Sequence, residues 1–161
     1  MFKDLHISGM FVTAINIVAS LFFSYFLTNS LTNNNDALNL VANVFSILSG
    51  FLLLVITMSG ENAAITNNLS PLDIVKQEYR FMIRFNKYYL LFLLYIVTLA
   101  LIFIYYLLSK GVISNLENIV KIRAKIGYTI SFLTCFSFIQ STFIPLKIKE
   151  LYKEKRELNK K

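Results

Sequence analysis

Four long apolar stretches restrict what this 161-residue chain can fold into. In hydrocarbon, every backbone N–H and C=O group needs a partner within the protein, so an apolar stretch of about 20 residues crosses a bilayer as an α-helix. The mean hydropathy of +0.59 and the 56% share of hydrophobic residues are typical of a membrane protein. We therefore predict an all-α integral membrane protein with a single four-helix transmembrane domain and a charged C-terminal tail at 147–161. The predicted spans cover about residues 7–28, 37–60, 88–109 and 126–146.

The third span is predicted to continue a helix that begins outside the membrane. Ser70 is a typical N-cap, and Pro71 suits the first helical position, where its missing N–H costs nothing. No Gly or Pro follows before Gly111, which predicts one helix of about 40 residues with a cytoplasmic, amphipathic first half.

Four basic residues in that first half recur at steps of four, four and three, which places them on one helix face. A basic face beside a span most often contacts anionic lipid headgroups. Docking of a cytosolic protein is the functional alternative. We call this predicted lipid- or partner-binding face the basic stripe, and it consists of Lys76, Arg80, Arg84 and Lys87.

The other three spans each carry a stripe of polar and small residues at steps of three and four. Such side chains are costly in hydrocarbon unless they are paired, so we expect the stripes to face protein or water. They either hydrogen-bond where helices pack or line a water-filled path in an oligomer. The residues concerned are Asn16 and Ser20 in the first span, Asn39, Asn43, Ser46 and Gly50 in the second, and Ser131, Thr134 and Ser141 in the fourth.

The third span lacks such a stripe, so we expect it to be the most lipid-exposed span of the four. Between this span and the next, the apolar residues of 110–125 fit a short interfacial helix.

Charge asymmetry predicts the orientation. Lys and Arg number 12 on the side of both termini and the second loop, against 4 on the opposite side. The positive-inside rule then places both termini in the cytoplasm, which for a bacterial protein means insertion into the inner membrane.

The sequence contains no pattern typical of catalysis. It has a single histidine, His6, and a single cysteine, Cys135, and no phosphate-binding loop or metal-ligand spacing. We expect no catalytic residue, no metal and no cofactor. The net charge of +7 is confined to segments outside the apolar stretches, which favours membrane contact over direct nucleic-acid binding.

This layout resembles small bacterial membrane proteins that are encoded with defence systems. Four spans with both termini inside, a Lys- and Arg-rich tail and an Asn-rich, aromatic-rich composition are most similar to the membrane subunit of the Kiwa anti-phage system. That subunit is a four-span oligomer that works with a cytosolic DNA-binding partner. The similarity covers the architecture of the whole chain and involves no short motif, so it assigns no site residue.

We therefore predict a non-enzymatic, homo-oligomeric membrane sensor or anchor that assembles through the first, second and fourth spans and presents its basic cytoplasmic surface to a cytosolic partner. The resemblance implies a role in anti-phage defence. The alternative function, from a different class, is a holin-like pore-forming effector that depolarises the membrane.

Overall fold

The computed structural model describes residues 2–63, 71–110, 116–146 and 148–149. Within them lie the four helices α1 (Phe2–Thr32), α2 (Asn35–Ala63), α3 (Pro71–Lys110) and α4 (Glu117–Thr142). All four are long and apolar enough to cross a membrane, over Phe11–Thr32, Asn35–Thr57, Phe81–Lys110 and Glu117–Leu146. The prediction of an all-α, four-span protein is confirmed, and the chain is a multi-pass membrane protein.

Packed helices run antiparallel. Asn16 of α1 lies beside Phe136 of α4, whereas Ser24, two turns later in α1, lies beside Tyr128. Helix α1 packs mainly on α4, and α3 packs between α2 and α4. The result is an up-and-down bundle in which α1 and α2 have little mutual contact.

The turn between α1 and α2 is tight, since only Asn33 and Asn34 separate the two helices. The Asn34 side-chain Oδ1 accepts hydrogen bonds from the backbone N–H groups of Asp36 (3.0 Å) and Ala37 (3.1 Å). Asn34 is therefore the N-cap of α2, and it satisfies two N–H groups that would otherwise lack a partner.

Helix α3 fills much of the bundle interior. Its Tyr95 is fully buried, with its ring centroid 4.9 Å from that of Phe45 in α2. Tyr105, three turns later, is also buried and packs near Ile130 of α4. The expectation that the third span is the most lipid-exposed is wrong, because a larger share of its apolar stretch is buried than in the first or second span.

Helix α4 begins earlier than the sequence suggested. No Gly or Pro lies between Glu117 and Gly127, and the helix is continuous through this stretch. Lys121 forms an exposed ion pair of 2.6 Å with Glu117 one turn before it. Residues 117–125 are therefore the first turns of α4 and not a separate interfacial helix, since their three-and-four periodicity suits either arrangement equally. Residues 111–115 lie outside the described part of the chain.

Candidate functional site

The basic stripe lies on a single unbroken helix, so the predicted continuity of α3 is confirmed. Lys76 and Arg80 belong to this helix by their backbone, whereas their side chains lie outside the described part of the structure. Arg84 is half-buried and Lys87 is exposed, and both lie in the first two turns of the apolar stretch Phe81–Lys110. The stripe therefore bridges the aqueous part of α3 and the start of its span.

The polar stripe of α1 faces α4 and forms with it a buried contact that we call the α1–α4 seam. Two hydrogen bonds between described residues cross the seam. The Asn16 Nδ2 donates to the carbonyl oxygen of Phe136 (3.2 Å), and the Ser24 Oγ donates to the carbonyl oxygen of Tyr128 (2.9 Å). Asn16 is 1% exposed, so this pairing removes a primary amide from hydrocarbon, where it is costly.

The remaining hydroxyls of α1 in the seam bond within their own helix. Ser20 donates to the carbonyl oxygen of Asn16 (2.7 Å), Thr28 to that of Ser24, and Thr32 to that of Thr28 (2.8 Å). The sequence prediction did not include Thr28 and Thr32. Their signal was present, because both continue the four-residue spacing that begins at Asn16.

Gly127 of α4 permits the close approach of the two helices. A Cβ atom added there would lie 3.1 Å from the Thr32 Cγ2 and 3.5 Å from the Thr28 Cγ2. Small residues at a helix contact allow backbones to pack closely in membranes.

The α4 stripe divides into two kinds of hydroxyl. Ser131, Thr134 and Ser137 are buried, and their hydroxyl oxygens have no hydrogen-bond partner among the described residues. Ser141 instead shares a hydrogen bond with the Tyr95 hydroxyl of α3 and donates to the carbonyl oxygen of Ser137. Polar residues of α1, α3 and α4 thus meet inside one chain.

The polar stripe of α2 lies on the outside of the bundle. Asn39, Asn43, Ser46 and Gly50 are all exposed. The buried face of α2 is apolar and consists of Leu38, Phe45, Leu52 and Val55, with Ser49 beside them. The expectation that this stripe contacts protein is therefore not met within one chain, because the apolar face packs on the large side chains of α3.

Asn39 is the exception within that stripe. The Tyr106 hydroxyl of α3 shares its single proton between the Asn39 Oδ1 (3.1 Å) and the carbonyl oxygen of Asn35 (3.1 Å). The Asn43 side chain, one turn deeper, has no hydrogen-bond partner in the described part of the chain.

Apolar side chains line the surface groove between α1 and α4. It has a volume of about 560 Å³, opens outward, and is lined by Ala14, Ile15, Val18, Ala19, Phe22, Phe23, Leu27 and Cys135. This apolar lining suits lipid chains. Within the described ranges, no group of three or more His, Cys, Asp or Glu side chains is arranged to hold a metal ion.

Comparison with protein-family models, with curated proteins and with solved structures gives no match. The resemblance in layout to the Kiwa membrane subunit therefore stays a prediction. The geometry of the four helices is the basis of the functional conclusion.

Proposed function

We propose that the protein is a non-enzymatic membrane sensor or anchor that couples a cytosolic partner to the bacterial inner membrane through α3. The observation that carries this proposal is the length of α3. The helix begins at Pro71, whereas its apolar stretch begins at Phe81. The preceding segment extends about 15 Å beyond the apolar stretch without a helix break.

The packing of α3 inside the bundle supports transmission along this helix. Its Tyr95 contacts α2 through Phe45 and α4 through Ser141. Its Tyr105 hydroxyl donates to the carbonyl oxygen of Thr32 in α1 (3.3 Å). Chains of packed side chains and continuous helices can carry coupling between distant sites, so we infer that α3 passes a displacement of its aqueous end to the helices it contacts.

The basic stripe supplies the contact surface in this proposal. The excess of Lys and Arg on the side of the two termini supports a cytoplasmic position for this end of α3. There the stripe meets anionic lipid headgroups, each contact contributing about 1 kcal/mol, or an acidic surface of the cytosolic partner. The role in anti-phage defence follows from the resemblance in layout.

Charge reversal tests the contact. The double variant Lys76→Glu, Arg80→Glu should insert normally and lose the cytosolic protein that co-purifies with the wild type in mild detergent. The matched variant Lys76→Arg, Arg80→Lys keeps both charges and should retain that protein. Equal recovery with all three chains would refute a role for the stripe in partner binding.

Helix continuity is tested by an insertion between Arg80 and Phe81. A Gly-Pro insertion removes a backbone donor and breaks the helix, whereas an Ala-Ala insertion shifts the register equally but keeps the helix. Signalling in the host should be weaker with the Gly-Pro insertion than with the Ala-Ala insertion. Identical phenotypes for the two insertions would contradict transmission through α3.

The pore-forming function remains the second candidate, and the exposed polar stripe of α2 is the observation that favours it. A ring of copies would enclose this stripe. The stripes of α1 and α4 pack on each other within one chain, so such a pore would be lined by α2 alone. Expression without any partner distinguishes the two functions. A pore collapses the membrane potential and stops growth, whereas a sensor or anchor is tolerated.

A further inference from the structure

The outer face of α2 has the residue pattern of a helix-pairing surface. Six exposed residues follow one another at steps of four, three, four, three and four, which is the heptad repeat of a left-handed helix pair. We call these residues the α2 polar face. In heptad notation, Asn43, Gly50 and Thr57 occupy a positions, and Asn39, Ser46 and Leu53 occupy d positions.

This face lies at the depth of the hydrocarbon. Ser46 is the central residue of the apolar stretch Asn35–Thr57. Asn43 is three residues from that centre, or about 4.5 Å along the helix. Its exposed primary amide has two donors and an acceptor, and lipid chains can satisfy none of them.

We propose that the α2 polar face binds the same face of a second copy of this chain, in a parallel α2–α2 pair. Two copies of the chain that have the same orientation in the membrane have parallel α2 helices. Each residue of the α2 polar face then lies opposite the same residue of the other copy. A primary amide is complementary to itself, because its N–H group can donate to the oxygen of the other amide. An Asn at an a position also sets the register of a parallel helix pair.

Three further observations support a helix as the occupant of this face. A Cβ atom added at Gly50 would meet nothing within 4 Å, so the backbone of α2 is open to close approach at this position. The Asn39 Oδ1 accepts a hydrogen bond from the Tyr106 hydroxyl, so the two N–H groups of that amide can donate to an acceptor on another molecule. Leu40, Ile47 and Leu54 are exposed at the neighbouring e positions and supply apolar contact beside the polar residues.

Cysteine cross-linking in native membranes tests the pair, and α2 offers a matched control. Ser46 and Ser49 both donate to the carbonyl oxygen four residues earlier, at 2.8 Å and 2.7 Å, but Ser46 is exposed and Ser49 is buried. In a background in which Cys135 is replaced by Ser, S46C should form a disulfide-linked dimer on mild oxidation. The S49C chain should remain monomeric.

Random collision in the bilayer is controlled with L21C. Leu21 is 57% exposed and lies near the centre of the α1 apolar stretch Phe11–Thr32. Cross-linking of S46C at or below the level of L21C would overturn the proposal.

Substitution of Asn43 provides a second measurement. The variant N43L removes the self-complementary amide and should weaken self-association in detergent roughly 3- to 30-fold, as expected for one polar contact between membrane helices. Unchanged self-association of N43L would exclude the register proposed here. Neither result depends on the basic stripe, so the pair can fail while the function proposed for α3 stands, and the reverse also holds.

Discussion

Replacing Asn16 by Ala tests whether the α1–α4 seam holds the bundle together. The Asn16 carboxamide is 1% exposed, and its Nδ2 donates across the seam to the carbonyl oxygen of Phe136. The truncated side chain leaves that carbonyl with its own helical N–H donor, so no buried acceptor is orphaned. Ser20 loses its 3.3 Å hydrogen bond to the Asn16 Oδ1 but keeps the 2.7 Å hydrogen bond to the Asn16 carbonyl oxygen. The substitution therefore mainly removes one interhelical hydrogen bond and the van der Waals attraction between the amide and its neighbours.

The magnitude follows from these two terms. A hydrogen bond between membrane helices contributes about 0.6–1.7 kcal/mol. The van der Waals attraction of the amide amounts to about 0.1–0.2 kcal/mol for each pair of atoms and about 1 kcal/mol in total. We expect Asn16→Ala to lower the free energy of unfolding by about 1.6–2.7 kcal/mol.

Asn43→Ala is the matched control. It deletes the same chemical group at an exposed position, where the side chain has no hydrogen-bond partner in the described part of the chain. We expect a change within about 0.5 kcal/mol when the protein is dilute enough in detergent to be monomeric.

Unfolding is measured by titrating SDS into mild-detergent micelles and following tyrosine fluorescence, since the chain has nine tyrosines and no tryptophan. Far-UV circular dichroism checks that both variants are helical before titration. Equal losses of stability for the two variants, or no loss for Asn16→Ala, would refute the claim that the seam is a stabilising polar contact.

Three further outcomes are expected. Ser24→Ala removes a hydrogen bond across the seam and should cost about 0.5–1 kcal/mol in the SDS titration, whereas Ser131→Ala removes an unpartnered buried hydroxyl and should be neutral or stabilising. A larger loss of stability for Ser131→Ala would show that its hydroxyl has a partner. Gly127→Val overpacks a site where even a Cβ atom would lie 3.1 Å from a methyl group of α1, and it should lower the free energy of unfolding by about 1–3 kcal/mol. Gly50→Val places its side chain in open space and should change the free energy of unfolding of the dilute, monomeric protein by less than about 0.5 kcal/mol. Similar values for the two glycines would contradict close α1–α4 packing. A reporter that is active only in the periplasm should give no signal when fused after Lys161. Full activity of that fusion would contradict the predicted cytoplasmic position of the termini.

The spans and the long third helix could be predicted from the sequence because the signals are local. Hydrocarbon forces an apolar stretch of sufficient length to become a helix, whatever its neighbours are. Pro71 is suited to the first helical position, and nothing breaks the helix before Lys110. The polar stripes were also recognisable, because three-and-four spacing places their residues on one face.

Only the tertiary structure decided where each stripe faces. Periodicity predicts that Asn16 and Ser20 share a face, and that Asn39 and Asn43 share another, but it does not identify the helix opposite. The apolar face of α2, with Phe45 and Leu52, fits against the tyrosines and leucines of α3, and this packing turns Asn43 outward. Lipid tails are as apolar as these side chains, so van der Waals fit and hydrogen bonds between particular helices select the arrangement. Van der Waals fit and interhelical hydrogen bonds both depend on residues that are far apart in the chain. For this reason the sequence by itself determined the spans, whereas the packing of the helices determined which polar face was left exposed.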